Sequence, residues 1–312
     1  MKTYYTGKRQ LKEDIAGFLF ISPWLIGFFV FAVIPMGMSF YFSFTSYNLL
    51  SPPVFSGMKN FFRMIAEPHD NGNVRTYGDP LFWKTLQVTF TYAFFSVSLR
   101  LIFAFFLASM FKRASWMTKI YTTAYYIPSL VGASVAIAVL WRRIFMSDGL
   151  INIILNSIGI KSAVSWVGNS STALGVIVIL AVWQFGSSML IFLAGLRQIP
   201  QTYYEAASID GAGWASQFFR ITLPQMTPII FFNLIMQLIN GFTAFSQAFI
   251  ISGGSGDPLN STLFYALYVY MRGFRSLDMG YASALAWVLV IIIAVFTVII
   301  FKTQDRWVHY ES

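Results

Sequence analysis

The stretch MGYASALAWVLVIIIAVFTVIIF, residues 279–301, runs for 23 residues between Asp278 and Lys302 without a charge. At 1.5 Å per residue, about 20 such residues in a helix cross a hydrocarbon core of about 30 Å. Working outward, the same test finds five more gaps between charges: 44 residues from Asp14 to Lys59, 27 from Lys84 to Lys112 with Arg100 inside, and 22 from Lys119 to Arg142. Two further gaps hold 35 residues, Lys161 to Arg197, and 36 residues, Arg220 to Asp257. The runs are too long for barrel strands of about 9–11 residues, and in lipid the remaining way to satisfy a spanning backbone is the helix. The chain therefore reads as an all-α membrane protein with six transmembrane helices near 17–45, 85–111, 120–141, 172–196, 228–251 and 280–301. Charged residues make up 11% of its 312 residues, against about 25% in soluble domains, which excludes a soluble globular protein.

The net charge of +9 comes from basic residues scattered over loops and tails, with no continuous stripe, so nucleic acid is not an expected partner and a membrane surface is. With no cysteine there is no disulfide, thiolate metal site or cysteine nucleophile. Lys2, Lys8, Arg9 and Lys12 precede an apolar run far longer than an about 7–15-residue signal-peptide core, which predicts an uncleaved signal anchor. Alternating from a cytoplasmic amino terminus puts 11 basic residues inside and 9 outside; the basic tail before the first span decides for this orientation, with both termini cytoplasmic. The expected divisions are a tail, 1–16; a first span, 17–45; an outer loop, 46–84; a core, 85–301, carrying a cytoplasmic connector, 197–228; and a tail, 302–312. Outer loops also occupy 142–171 and the turn-rich segment that opens with Gly253, Gly254, Ser255, Gly256, Asp257 and Pro258.

The connector carries the strongest punctuation. Pro200 suits a first helical turn, Gln201 to Asp210 runs without a breaker, and Gly211 suits a left-handed helix stop. Leu223-Pro224 is expected to end a second stretch, Trp214 to Thr222, and Thr227-Pro228 to open the fifth span. Ala206 and Ala207 leave little bulk beside Glu205, so another protein could approach that face; an ordinary amphipathic connector at the headgroups is the alternative.

Glu205-Ala206-Ala207, three residues, Gly211, nine residues, then Ile221, one residue, and Leu223-Pro224 resembles the signature loop of permease subunits in binding-protein-dependent ABC importers. Further stretches resemble the carbohydrate-uptake branch, similar to the larger maltose-type and glycerol-phosphate-type permeases: Phe42-Ser43-Phe44-Thr45, Tyr126-Ile127-Pro128, Leu193-Ala194-Gly195-Leu196 and Gly280-Tyr281-Ala282. The outer glycine-rich turn departs from that pattern, because Ser255 and Asp257 interrupt the glycines before Pro258. The resemblance implies a type I-like permease bundle in a bacterial plasma (inner) membrane. It also implies a coupling helix in which Glu205, Ala206, Ala207, Asp210, Gly211, Ile221, Leu223 and Pro224 meet an ATPase subunit. The implied partners are a second permease subunit, two ATPase subunits and an extracellular solute-binding protein. Cofactors are none on this chain, ATP and Mg being used by the ATPase subunits.

A transport path needs polar groups facing the bundle interior. In the fifth span Asn233, Gln237 and Asn240 share one helical face, followed by Ser246 and Gln247. Tyr125, Tyr126 and Trp183 with Gln184 could stack on and bond to a sugar ring; interhelical hydrogen bonds worth on the order of 0.6 kcal/mol are the alternative. Arg100 sits near the middle of the second span, where an isolated charge costs roughly 2.5–3.5 kcal/mol. It reads either as lining a hydrated cavity that favours an acidic or strongly hydroxylated substrate, or as bonded to helix carbonyls.

Catalysis finds little support. His69 and His309 fall in an outer loop and the tail, away from each other, and metal is expected nowhere. Gly254-Ser255-Gly256-Asp257 matches an intramembrane-protease pattern, but no span offers the second aspartate. Without a phosphate-binding G-x-x-x-x-G-K-[ST] loop the chain cannot cradle ATP itself, and the resemblance implies a non-catalytic subunit moving an oligosaccharide or related carbohydrate inward on its partners' ATP. An ion-gradient-driven secondary transporter would place carboxylates or broken helices at midplane, and only Arg100 is ionisable there.

Overall fold

A computed structural model describes residues 7–66, 68–70, 75–113, 115–132 and 134–309. Residues 1–6 of the expected amino-terminal tail and 310–312 of the carboxy-terminal one lie outside the described residues. The first span comprises α1 (Gly7–Phe28), a π-helical turn (Phe29–Val33) and α2 (Ile34–Ser43). No residue of its apolar window is buried, and α2 docks on α15, with Phe40 edge-on to Trp287 at 4.9 Å. The outer loop holds α3 (Lys59–Ile65) and two short antiparallel hairpins.

The second span, α4 (Pro80–Met110), starts before the expected residue 85 because Asp79 caps it, its side chain accepting from Leu81 N at 2.9 Å, with Pro80 in the first turn. Lys84 therefore lies inside the helix. The third and fourth spans are each broken. α5 (Trp116–Val131) meets α6 (Val135–Ile144) at 99°, since Ser134 caps a new helix by accepting from Ile137 N. After α7 (Leu150–Ser157), α8 (Ala173–Trp183) meets α9 (Gly186–Gln198) at 41°. Among the described residues four helices can cross a membrane by length and composition, or six if each bent pair is one span.

The connector folds as α10 (Gln201–Ile209) and α11 (Trp214–Gln217), which runs through a π-helical turn, Phe218–Thr222, into α12 (Leu223–Phe242). Neither Pro224 nor Pro228 breaks this helix, contrary to the sequence expectation. Pro224 falls directly after the widened turn, near the start of the following α segment, where its missing N–H is tolerated. Thr227 caps nothing; its hydroxyl donates back to Pro224 O at 2.7 Å. Then come α13 (Ser246–Ile251), α14 (Tyr265–Tyr270) with a π-helical extension, and α15 (Met279–Thr303).

One apolar core joins α4, α8, α13, α14 and α15, with Phe264, Tyr265 and Tyr281 fully buried. A second, smaller core lies toward the connector among α4, α9 and α12 around Phe192, Leu196 and Met226. At Gly195 a Cβ would stand 2.0 Å from Ile229 Cδ1, so glycine lets α9 and α12 pack here without the Ile229 side chain having to move.

Candidate functional site

The connector is braced mainly by its own residues. Gly211 takes φ +79°, and Gly211 N and Ala212 N donate to Ser208 O and Ala207 O, the paired bonds of a glycine-terminated helix. Gln217 Nε2 donates to Ser208 Oγ at 2.9 Å and Ala212 O at 3.1 Å, which closes α10 against α11. The Tyr204 hydroxyl meets Thr222 Oγ1 at 2.9 Å and ties α10 to the approach to α12. The sequence elements Glu205, Ala206, Ala207, Asp210 and Gly211 lie on one short helix and its stop, whereas Ile221, Leu223 and Pro224 lie along the π turn and the first residues of α12. Glu205, Ala206 and Asp210 are exposed. Ile209 is 87% and Trp214 78% exposed, so this short hairpin presents apolar side chains beyond the bundle.

Inside the bundle, Arg100 holds three helices together. Its Nε donates to Ala181 O at 2.7 Å and its Nη1 to Gln237 Oε1 at 2.5 Å, while Gln237 Nε2 donates to Ser188 Oγ at 3.1 Å. Ala181 lies in the last turn of α8, where its carbonyl accepts from Gln184 N at 3.2 Å and also takes the Arg100 bond at the break between α8 and α9. Arg100 thus makes the helix-carbonyl bond that its sequence position left open. Ser188, which completes this chain of bonds, had no signal in the sequence beyond being a small hydroxyl residue in a span.

The other polar candidates divide. Gln184 Nε2 donates to Gly132 O at 3.0 Å and its own carbonyl accepts from Ser129 Oγ, which bridges α5 to the break. Trp183 packs on Trp141 at 5.4 Å. Asn233 is 1% exposed; its amide nitrogen reaches Ile229 O, while its Oδ1 has no protein partner. Asn240 and Ser246 are exposed, and Tyr126 and Gln247 are partly so. Tyr125 is 40% exposed with its ring beside Phe185 and Phe111. The shared face of Asn233, Gln237 and Asn240 is thus buried over its first two residues and open at the third.

At the opposite end of the bundle stands a cluster whose members the sequence reading did not bring together. The Asp79 carboxylate accepts from Tyr281 Oη at 2.8 Å and from Tyr268 Oη, and lies 3.4 Å from Arg272 Nη2. Burial acts to raise the Asp79 pKa, but the two tyrosine hydroxyls and the Arg272 charge outweigh it and hold the carboxyl below its usual value. Arg63 Nη1 bonds Asp278 at 2.6 Å and lies over the Tyr281 ring. The Asp-Pro signal at 79–80 could have revealed the cap.

The sequence pattern of the family described as "Binding-protein-dependent transport system inner membrane component" matches residues 100–309. The chain belongs to that family. The match takes in Arg100, the whole connector and α15. The chain is 51% identical over 96% of its length to 94% of the probable ABC transporter permease protein YesP of Bacillus subtilis. It is 33% identical over 97% of its length to 93% of the arabinooligosaccharides transport system permease protein AraP of the same organism. A crystal structure of a bacterial ABC transporter involved in the import of the acidic polysaccharide alginate shares the fold, with TM-score 0.75 and 20% identity over 96% of this chain and 98% of that one. The permease is therefore a multi-pass inner-membrane component of a binding-protein-dependent transport system, all-helical, with four to six helices able to cross the membrane among the described residues.

Proposed function

We propose that this permease moves an oligosaccharide or related carbohydrate inward, with both termini cytoplasmic and the connector seated on a partner ATPase subunit. The observation that carries the reading is the connector itself: a short internally braced hairpin ending at Gly211, with Glu205, Ala206, Ile209 and Trp214 directed away from the bundle's own core. A second permease subunit, a second ATPase subunit and an extracellular solute-binding protein complete the assembly; ATP and Mg belong to the ATPase subunits. The arabinooligosaccharide relative supports a carbohydrate, and exposed amides, hydroxyls and an aromatic face at Asn240, Ser246, Gln247 and Tyr125 suit sugar hydroxyls and a sugar ring. Tyr126 flanks that path. Arg100, Trp183, Gln184 and Gln237 act by fixing the helices around it, and Asn233 lies buried on the same face of α12 as Gln237.

ATP-bound partners stabilise one arrangement of the spans and hydrolysis the other, so the path opens alternately to each side. The test is uptake of labelled oligosaccharides into vesicles that contain the purified complex. Uptake that requires the binding protein and ATP is expected. Uptake that persists without ATP and follows an ion gradient would overturn the reading.

A further inference from the structure

Between the connector and the adjoining ends of α4, α9 and α12 lies a groove of about 1170 Å³. Its inner wall is apolar, built by Leu101, Phe105, Phe192, Leu196 and Ile230. Those residues belong to α4 and α12, which are long and apolar enough to cross a membrane, and to α9 of the bent pair, so under the proposed orientation the wall faces the hydrocarbon beside the inner headgroups. Lys112, Arg113 and Arg197 also line the groove, and no acidic side chain does. None of the three makes an ion pair among the described residues: the Lys112 ammonium lies 3.6 Å over the Tyr204 ring and Arg197 Nη2 donates to Phe111 O at 3.4 Å. Three cations above an apolar wall, at the end of the spans, form an amphipathic slot with a net positive mouth.

We infer that this groove is a binding site for one anionic phospholipid of the cytoplasmic leaflet, its phosphodiester at Lys112, Arg113 and Arg197 and its acyl chains along the wall of α4, α9 and α12. The inference rests on the proposed orientation, which turns the groove's mouth toward that leaflet. Basic pockets between spanning helices at that interface suit anionic headgroups, because the charges are met without leaving the surface and the chains replace bulk lipid at no hydrophobic loss. A soluble anion would leave the apolar wall uncovered, and an acidic protein segment would have to reach hydrocarbon depth to fill it. Because Tyr204 and Gln217, which brace the connector, also line the groove, the bound lipid would stiffen the link between α10 and the bundle.

The assembled transporter, purified and placed in nanodiscs of phosphatidylcholine with a minority of phosphatidylglycerol, provides the test by native mass spectrometry. At least one retained phosphatidylglycerol per copy of this chain is expected, falling several-fold in the combined Lys112→Gln, Arg113→Gln and Arg197→Gln variant. It should not fall in the combined Arg142→Gln, Arg143→Gln and Lys161→Gln variant, which removes equal charge at the other end. Equal retention by the two variants would overturn the inference. So would displacement by inorganic phosphate, which would make the site one for a free anion, or absence of lipid with cross-links from Lys112 to a partner chain, which would give the groove to protein. ATP hydrolysis stimulated by substrate and binding protein in the same preparation reports separately on the transport reading.

Discussion

The two ends of the bundle are held by different means. At the loop end, Asp79 caps α4, receives Tyr268 and Tyr281, and pairs with Arg272, so α4, α14 and α15 are fixed to one another by a carboxylate whose side chain is 9% exposed. At the connector end, α10 and α11 bond chiefly to each other and leave Ile209 and Trp214 uncovered. A part whose polar groups are satisfied inside the chain keeps its shape alone. A part that leaves apolar surface bare completes its structure against something else. The contrast locates rigid architecture at one end and a docking element at the other.

Asp79→Ala should have the largest effect on stability. It removes a cap and leaves Arg272 and two tyrosine hydroxyls without their acceptor, at a cost of about 3 kcal/mol. The lowered midpoint of thermal unfolding of the purified complex measures it; an unchanged midpoint would erase the distinction between the ends. Gln237→Leu should cost about 2 kcal/mol by depriving the Arg100 guanidinium of one acceptor. If Arg100→Gln and the double variant then cost no more than Gln237→Leu alone, the two residues act as one structural unit. Ala206→Trp should show the reverse profile: an unfolding midpoint within error of the parent, because the site is exposed, with ATP-coupled uptake at least about tenfold lower, equivalent to about 1.4 kcal/mol.

The smallest effect is the pH response of Asp79. Its carboxyl is held below the usual value in the folded protein, so its contribution is complete above about pH 4, the unfolded value, and is lost as pH falls through the folded one. Between pH 6 and about pH 8 no slope is expected from this group. Unfolding midpoints of Asp79→Asn and the parent should converge at acid pH and separate above it. Separation that grows on acidification would contradict the assigned environment.

Much of the fold was legible because a lipid-crossing helix must exclude charge, and that leaves a local record. The gap from Asp278 to Lys302 became α15, and Gly211, needed for a left-handed stop, became one. Local signals misled where two of them competed. Lys84 was read as a boundary, although Asp79-Pro80 four residues earlier carried the real start; Pro224 was read as a breaker, although a widened turn directly before it spares the missing N–H. The changes of direction between α5 and α6 and between α8 and α9 were not visible as breaks, since a hydropathy count does not register a change of helix direction.

Composition, charge spacing and turn residues by themselves determined the membrane-spanning helical class and the short stiff connector, because each depends on a residue and its near neighbours. Only the tertiary structure decided that Arg100 meets Ala181 and Gln237, that Asp79 meets Tyr268 and Tyr281 across 189 and 202 residues, and that three cations gather over one apolar groove. Those partners are chosen by how helices pack. Packing depends on shapes that meet in space, which the order of residues along the chain does not display.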